Sequence, residues 1–344
     1  MTGVSSPPRR SAAAFGTVTA PYMVASRTSA GRFSAPSVEP FAPVSLHPAA
    51  HALHYGSTCF EGLKAHRGTH GVVRLFRAAD HARRFCESAE ALCLPVPPEG
   101  LVAKAIRETV AANIADVPAA PGSLYVRPTL IGVDAHIGAA TTPSSEAMLF
   151  VIASPVGEYF RGEEAVTVAV ETRVPRSTPG FGRVKAGGNY AMALGPTQRA
   201  RTEHGASQVL FAPGGDVQEA GAANFLLVDD DRVVTRPLDG AILHGVTRDS
   251  VLAIARALGY TVEERFIDVG ELREWARRAE AALVGTAAVM TGVGALVHEG
   301  ERIPFGSGKV GANTKKLRAE LIAVQRGEHA DRWGWTEAVP APAA

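Results

Sequence analysis

One lysine stands out for its surroundings. Lys185 lies in the segment GRVKAGGNYAMAL, residues 182–194, among glycines and other small residues, and Tyr190 follows five positions later. The chain has only six lysines and mostly uses arginine where a positive charge suffices. A guanidinium cannot act as an amine nucleophile, whereas a desolvated lysine can, and small neighbours let a ligand approach the backbone closely. The segment therefore favours a nucleophilic lysine, with an exposed, solvated lysine as the alternative.

Two other segments could bind a phosphate group. Gly245 in ILHGVTRDSVL opens a predicted helix whose first amides, near Val246 and Thr247, have no intrahelical partners and lie at the positive end of the helix dipole. In GTAAVMTG, residues 285–292, the hydroxyl of Thr286 lies between small residues that leave backbone amides accessible. Each signal is weak alone, because every helix has an N-terminus and small residues also pack tightly in strands.

An isolated acid completes the set. Glu219 lies among small and apolar residues in VQEAGAANFLLV, just before a predicted strand. A buried carboxylate needs a charged or hydrogen-bonding partner, and a protonated ring nitrogen would serve; the alternative is an acid that caps a turn. An amine nucleophile, two phosphate-binding segments and such a carboxylate together describe a pyridoxal 5'-phosphate site.

The bulk properties set the class of protein. A chain of 344 residues suits two domains of roughly 100–200 residues each. A net charge of +1 gives no signature of nucleic-acid or membrane binding, and no apolar run approaches the roughly 20 residues that span a bilayer. We expect a cytoplasmic protein with a disordered arm at residues 1–14 and a disordered tail at 337–344. Cys86 and Cys93 are spaced to share one face of a helix, as core residues rather than a metal or redox pair.

The elements that must position these residues are of mixed type. Ala82, Phe85, Ala89 and Leu92 have helical spacing, whereas SLYVRPTLIGV and AMLFVIASPVG are apolar runs bounded by Gly and Pro, as is typical of strands. After Lys185 the pattern predicts a helix, several strands with a hairpin, a second helix and a closing helix.

A stretch rich in Pro, Gly, Ser and Arg divides the chain. We therefore predict a smaller N-terminal α/β domain over residues 1–172, an interdomain loop over 173–182 and a larger cofactor-binding domain over 183–344.

The order of the motifs resembles that of the branched-chain amino-acid aminotransferases, which are fold-type IV pyridoxal phosphate enzymes. The resemblance is collinear from about Phe15 to Trp335 and includes the segments LHYGSTCFEGLKAHRG, LFRAADHARR, YVRPTLIG, KAGGNY, EAGAANFLLV, GVTRDSV and VGTAAVMTGVG. It implies an α/β (α+β) fold of two domains with the cofactor in the cleft between them. It also implies a homodimer, with amino acids and 2-oxo acids as substrates and with no metal, nucleic acid or membrane as partner.

The resemblance assigns a role to each residue of the cofactor site. Lys185 matches the lysine that holds the cofactor as a Schiff base and moves the substrate proton, and Tyr190 matches the tyrosine at the cofactor's phenolic oxygen. Glu219 matches the acid at the pyridine nitrogen. The matches for phosphate binding are Arg84, Val246, Thr247 and Thr286.

The substrate site is implied in the same way. Most of its residues are expected from the same chain: Tyr55, Phe60, Tyr125, Arg127, Tyr159, Ala222 and Ala287. Ile137 and Ala139 of the partner subunit are expected to reach into the site. The implied reaction moves the amino group of L-leucine, L-isoleucine or L-valine to 2-oxoglutarate in a ping-pong cycle.

Departures from the family pattern leave the substrate open. The chain has STPGFGRVK where the family usually has GGTG before the lysine, and Ala222-Ala223 where the family commonly has Gly-Met or Thr-Met. One alternative is therefore a pathway-specific aminotransferase for a modified aliphatic or aromatic amino acid. A fold-type IV lyase and a catalytically inactive paralogue are the further alternatives.

Overall fold

The computed structural model describes residues 15–157 and 164–341. The first half of the chain forms one sheet with helices packed against it. Its elements are β1 (Tyr22–Ser29), β2 (Arg32–Phe33), β3 (Ser37–Pro40), α1 (His51–Tyr55), β4 (Thr58–Phe60), β5 (Leu63–Arg67), β6 (Val73–Phe76), α2 (Ala78–Ala91), α3 (Glu99–Ala112), β7 (Ser123–Gly132) and β8 (Ala147–Val156). The strand order is β6-β5-β7-β8-β1-β2, with β3 beside β1 and β4 beside β7, and all these pairs are antiparallel.

The second half forms another sheet with its own helices. Its elements are β9 (Val166–Glu171), α4 (Gly187–His204), β10 (Gln208–Phe211), β11 (Asn224–Val228), β12 (Arg232–Thr235), α5 (Val246–Ala257), β13 (Thr261–Glu264), α6 (Val269–Ala276), β14 (Glu280–Gly285), β15 (Val289–His298), β16 (Glu301–Pro304) and α7 (Ala312–Arg326). The order is β10-β9-β15-β14-β11-β12-β13, with β16 beside β15. Parallel and antiparallel pairs occur together, which confirms the mixed α/β class.

The apolar spacing that predicted α2 places its buried face against the first sheet. Ala82, Phe85 and Ala89 are buried in one cluster with Val102 and Ile106 of α3. Since these positions recur at helical spacing, one side of each helix covers the sheet while the other faces solvent.

In the second sheet the central strands are apolar on both faces. Phe225 and Leu227 of β11 pack in one cluster with α6, whereas Leu226 and Val228 pack on the opposite face with α5 and α7. Alternate residues of a strand point to opposite faces, so a strand covered on both sides reads as a continuous apolar run. Within residues 15–157 and 164–341, none of the helices combines the length and the apolar character that a membrane span requires.

The division between the sheets differs from the predicted domain boundary. β9 belongs by pairing to the second sheet, beside β10 and β15, although the sequence placed residues 166–171 in the first domain. Its partners lie far along the chain, so local composition could not assign it. Residues 172–186 connect β9 to α4 and include the predicted loop 173–182. We propose the two sheets with their helices as the two domains.

The end of the chain also differs from the expected tail. Strand β17 (Thr336–Ala338) pairs antiparallel with β6 of the first sheet, and Val339 is buried in the core of that half. An edge strand gains a partner in this way, so residues 337–341 are ordered structure rather than a disordered tail.

The two cysteines near the end of α2 have different environments. Cys86 is buried, whereas Cys93 is exposed. The helix ends at Ala91 and Cys93 adopts a φ of 53°, so the chain has left the helix before this residue. The expectation that both thiols lie on one helical face in the core is right for Cys86 and wrong for Cys93.

This difference gives a direct test by thiol labelling. In the folded protein we expect a thiol reagent to label Cys93 quickly and to leave Cys86 and Cys59 unlabelled until unfolding. Burial raises the pKa of Cys86 to about 12 and raises the pKa of Cys59 as well, and the thiolate is the reactive form. Cys93→Ser should abolish the fast phase; fast labelling of a second thiol under native conditions would contradict the fold at this point.

Candidate active site

A cavity of about 410 Å³ lies where the two halves meet. It brings together side chains from the first sheet, from α2, and from the loops and helix ends of the second half. All the residues predicted to bind the cofactor line it: Arg84, Lys185, Tyr190, Glu219, Val246, Thr247 and Thr286. So do five of those predicted to bind the substrate: Phe60, Tyr125, Arg127, Ala222 and Ala287.

Among the described residues, three that were predicted to bind the substrate do not line the cavity of their own chain: Tyr55, Ile137 and Ala139. Tyr55 ends α1 at the surface, where its hydroxyl donates to the carbonyl of Ile137. Ile137 is 67% exposed, while Ala139 is buried within its own chain. Tyr159 lies outside the described residues. Tyr55 is the last residue of α1, before Gly56 in the left-handed conformation, and its hydroxyl contacts the 136–139 loop.

Lys185 is held by both halves of the protein. Its backbone N–H donates to Ser88 Oγ at 3.0 Å, and its carbonyl accepts from the Phe60 N–H at 3.1 Å. The side-chain Nζ lies 2.6 Å from Tyr190 Oη and 5.0 Å from the centres of both the Phe60 and Tyr190 rings. The amine is thus placed inside the cavity and beside a phenol.

Tyr190 lies in the first turn of α4, so its position relative to Lys185, just before the helix, is set locally. Burial opposes ionisation of its phenol, but the positive charges of Lys185 and Arg176 outweigh this effect and lower the pKa of Tyr190. The phenol is therefore prepared to share its proton with, or donate a strong hydrogen bond to, an electronegative group in the cavity.

Glu219 is fully buried and surrounded by donors. Its Oε1 lies 2.7 Å from Arg176 Nη1 and accepts the Leu243 N–H at 3.1 Å, while Oε2 accepts the Asn224 amide at 2.9 Å. Burial raises the pKa of this carboxyl, and Arg176 is the strongest influence acting against that rise. The sequence identified Glu219 but not Arg176 or Asn224.

Arg84 is oriented by a second buried acid that the sequence did not single out. Its Nε and Nη2 donate to the two carboxylate oxygens of Glu61 at 2.6 and 2.9 Å, and Nη1 donates to the carbonyl of His244 at 2.8 Å. His81 Nδ1 lies 2.7 Å from the same carboxylate. Burial alone would raise the pKa of Glu61, but Arg84 and His81 outweigh it and hold that pKa well below its ordinary range.

The start of α5 forms part of the cavity wall. A Cβ on Gly245 would lie 1.9 Å from Asn224 Oδ1, so only glycine lets the helix approach so closely. The first amides of the helix, at Val246 and Thr247, have no intrahelical acceptor. Together with Arg84 and the Thr286 hydroxyl at the turn between β14 and β15, they form a site suited to a phosphate group.

Tyr125 and Arg127 form another polar part of the cavity wall. Arg127 Nη2 donates to Tyr125 Oη at 2.8 Å, and the guanidinium lies 4.6 Å from the centre of the Phe60 ring. Arg127 Nε is buried with no acceptor among the described residues. Gly62 makes room for the phenol, since a Cβ there would lie 2.0 Å from Tyr125 Oη. The Arg127 guanidinium can therefore bind an anionic group beside the apolar face of the Phe60 ring.

Phe15 and Lys64 make two further contacts that the sequence did not predict. Phe15 lines the cavity and packs edge-on against Tyr125, with ring centres 5.0 Å apart. Lys64 Nζ donates to the carbonyl of Ala287 at 3.1 Å, across the two halves. The only local signal was that Lys64, like Glu61, stands in the FEGLK segment with Phe60.

Comparison with known proteins agrees with this geometry. The chain is 37% identical to branched-chain-amino-acid aminotransferase 5, chloroplastic, of Arabidopsis thaliana over 94% of this chain and 78% of that protein. It is 37% identical to branched-chain-amino-acid aminotransferase 2 of Bacillus subtilis over 89% and 86%, and 39% identical to the branched-chain-amino-acid aminotransferase of Mycolicibacterium smegmatis over 87% and 84%.

Solved structures of branched-chain aminotransferases have folds similar to that of this chain. The Escherichia coli branched-chain amino acid aminotransferase matches with a TM-score of 0.78 at 27% identity, covering 93% of this chain and all of that one. The branched-chain aminotransferase of Thermoproteus uzoniensis, solved with norvaline, matches with a TM-score of 0.75 at 27% identity, covering 93% and 100%. Residues 58–296 match the family model described as amino-transferase class IV. The chain therefore belongs to the class IV aminotransferases.

Proposed function

We propose that the protein is a pyridoxal 5'-phosphate-dependent aminotransferase that moves the amino group of L-leucine, L-isoleucine or L-valine to 2-oxoglutarate. The observation that carries this proposal is the convergence of Lys185, Tyr190, Glu219 and Arg84 on one cavity. Relatives named for branched-chain substrates match along most of the chain, which supports the choice of substrate.

The residues present fit the cofactor. The start of α5, with its glycine, and Arg84 suit its phosphate, Glu219 suits its ring nitrogen, and the Lys185 amine lies in the same cavity. When bound, pyridoxal phosphate supplies an electron sink that stabilises negative charge on the substrate's α-carbon.

The proposed roles of the chain's own residues follow from their positions. Lys185 anchors the cofactor and carries a proton to and from the substrate α-carbon. Tyr190, whose hydroxyl lies 2.6 Å from Lys185 Nζ, holds the phenolic oxygen side of the ring. Glu219 holds the ring nitrogen. Phosphate is bound by Arg84, Val246, Thr247 and Thr286.

For the substrate we propose a carboxylate site and an apolar site. The Arg127 guanidinium and the Tyr125 hydroxyl, whose nearest polar atoms are 2.8 Å apart, would bind the substrate carboxylate. Ala287 is a further proposed contact, because it lines the same cavity. Phe60 and Ala222 provide apolar surface for a branched side chain. Tyr159 stays a proposed contributor from the sequence.

A homodimer is part of the proposal. Ile137 is exposed in a loop that Tyr55 fixes by a hydrogen bond, which suits a contact made by Ile137 of the partner subunit. Ala139 of the partner subunit is the weaker candidate, because this residue is buried within its own chain. A monomer in analytical ultracentrifugation at assay concentrations would contradict the dimer.

Free thiols fit a reducing compartment, so we also propose the cytoplasm, which cell fractionation would test.

The half-reaction tests the proposed function. The cofactor-loaded protein is mixed with single amino acids and no acceptor, and the loss of the cofactor's visible absorption is followed. Leucine, isoleucine and valine should bleach it fastest, and 2-oxoglutarate should restore it. Faster bleaching by another amino acid would contradict the substrate and favour the pathway-specific alternative, for which Ala222 and Ala223 in the cavity wall leave room. Release of pyruvate from aminodeoxychorismate would indicate a lyase.

The glycine at the start of α5 gives a sharper prediction. Gly245→Ala is expected to weaken binding of pyridoxal phosphate by about 10- to 100-fold. The new Cβ would clash with Asn224 Oδ1 and displace the start of α5, whose amides are proposed to bind the phosphate, and a hydrogen bond to a charged group contributes about 1.5–3 kcal/mol. Fluorescence titration of the cofactor-free protein measures the affinity. Gly100→Ala is the control, since a Cβ there meets nothing within 4 Å. Equal affinity in both variants would contradict the prediction.

A further inference from the structure

Arg176 is a buried cation for which the sequence suggested no role. It lies in the connection between β9 and α4 and is 1% exposed. Although the surrounding segment is rich in Pro, Gly and Ser, the side chain turns inward and lines the cavity. Burying a guanidinium is costly unless it is paired and hydrogen-bonded, so its contacts indicate what it is held there to do.

Its contacts connect two residues of the site. Nη1 forms an ion pair with Glu219 Oε1 at 2.7 Å, although the two atoms do not have hydrogen-bond geometry, and Nε donates to the Gly221 carbonyl at 3.2 Å. The guanidinium also lies over the Tyr190 ring, 5.3 Å from its centre. A planar fork can make all three contacts at once, whereas an ammonium is a point charge without a face.

The charges around Glu219 show why a cation matters at this place. Burial, which raises the pKa of Glu219, is the largest influence on this carboxyl. Arg176, Lys185 and Arg84 act against it as positive charges, and Arg176 is the strongest of them. Tyr190 is the neighbouring acid, and the same guanidinium helps to lower its pKa. Without Arg176 the balance would move towards a neutral carboxyl.

We propose that Arg176 is a positioning residue that keeps the Glu219 carboxylate ionised and aimed at the ring nitrogen of bound pyridoxal phosphate. The inference rests on the proposed function, since it assumes that this cofactor occupies the cavity. Arg176 acts through Glu219 and also packs on Tyr190. One side chain therefore contacts both the residue proposed for the ring nitrogen and the residue proposed for the phenolic oxygen of the cofactor.

The test reads the protonation of the ring nitrogen directly. The protein is loaded with pyridoxal phosphate carrying ¹⁵N in the ring, and the nitrogen chemical shift is followed against pH. In the parent protein the nitrogen should stay protonated, with an upfield shift, across the neutral range. In Arg176→Met the pKa of Glu219 should rise by about 1–3 units, which is the effect of an opposite charge within about 4–6 Å. A neutral carboxyl no longer stabilises the protonated ring nitrogen, so the midpoint of the nitrogen signal should fall.

Three variants make the result specific. Arg176→Gln keeps a hydrogen-bond donor without the charge and should behave like Arg176→Met, which covers the case in which the methionine variant does not fold. Arg176→Lys should restore most of the parent profile. Arg173→Met removes a charge from the same segment, but Arg173 has a side chain 81% exposed and paired with Glu171, so it should leave the profile unchanged.

The outcomes separate this inference from the proposed function. A parent protein that shows no bound cofactor signal would overturn both. A parent protein that binds the cofactor, with neutral Arg176 variants that give the same pH profile, would overturn the role of Arg176 alone. A lowered midpoint in the neutral variants, with recovery in Arg176→Lys, is the expected result.

Discussion

Lys185→Ala is expected to lower the rate of amino transfer by at least about 10⁴-fold. General acid–base catalysis alone contributes about 10²–10⁴-fold, and the same amine is the proposed covalent anchor of the cofactor. Among the residues that the structure describes, Lys185 is the only lysine that lines the cavity, so no second amine is placed to replace it. Single-turnover kinetics with leucine would measure the loss.

Two controls separate the amine from its charge. Lys185→Arg keeps a cation beside Tyr190 but cannot act as a nucleophile, so we expect it to be as inactive as Lys185→Ala. Lys104→Ala removes an exposed lysine that lies 3.6 Å from Glu108, and it should retain full activity. If Lys185→Arg kept activity within tenfold of the parent, the proposed role of the amine would be wrong.

Arg84→Met is expected to lower the free energy of unfolding by about 3–5 kcal/mol, as is usual when one partner of a buried ion pair is removed. Glu61 is 0% exposed, so water cannot replace the lost guanidinium. Its carboxylate would be left with His81 and the Gly62 N–H as its remaining hydrogen-bonding neighbours among the described residues. Urea denaturation would measure the loss, and a variant as stable as the parent protein would contradict the buried pair.

The pH dependence of stability should reverse in this variant. In the parent protein the pKa of Glu61 is lowered by folding, so its contribution is complete above the unfolded value of about 4.3 and is lost as the pH falls. In Arg84→Met we expect burial, the largest influence on this carboxyl, to outweigh His81 and to raise the folded pKa of Glu61. The variant should then lose stability as the pH rises above about 5, because the unfolded state ionises first.

A double variant distinguishes stability from cofactor binding. Arg84→Met combined with Glu61→Gln removes both charges, so most of the lost stability should return. Its affinity for pyridoxal phosphate should stay low, because the guanidinium proposed to bind the phosphate is still missing. Recovery of affinity together with stability would show that Arg84 serves the fold and not the phosphate.

The residues that the sequence could identify are those with a local signal. Lys185 lies just before α4 and Tyr190 in its first turn, while Val246 and Thr247 begin a helix whose apolar stripe is visible. Spacing along one element is fixed by helix geometry, so these positions could be related to each other from the sequence alone.

The pairings that complete the site are tertiary and leave no such signal. Glu61 and Arg84 are 23 residues apart, on a loop and on α2, and Arg176 meets Glu219 from a connection that lies before α4 in the chain. An arginine in a Pro- and Gly-rich segment is usually solvated, so its burial could not be foreseen. Tyr55 likewise contacts Ile137, which lies 82 residues further along the chain.

Chemical trapping of the cofactor tests the central claim most directly. The loaded protein is reduced with borohydride, which fixes pyridoxal phosphate covalently to its amine partner, then digested and mapped by mass spectrometry. We predict that the added mass lies on Lys185 alone, in the peptide that contains Tyr190. A modification on another lysine such as Lys64, or no modification in a protein that binds the cofactor, would contradict the account.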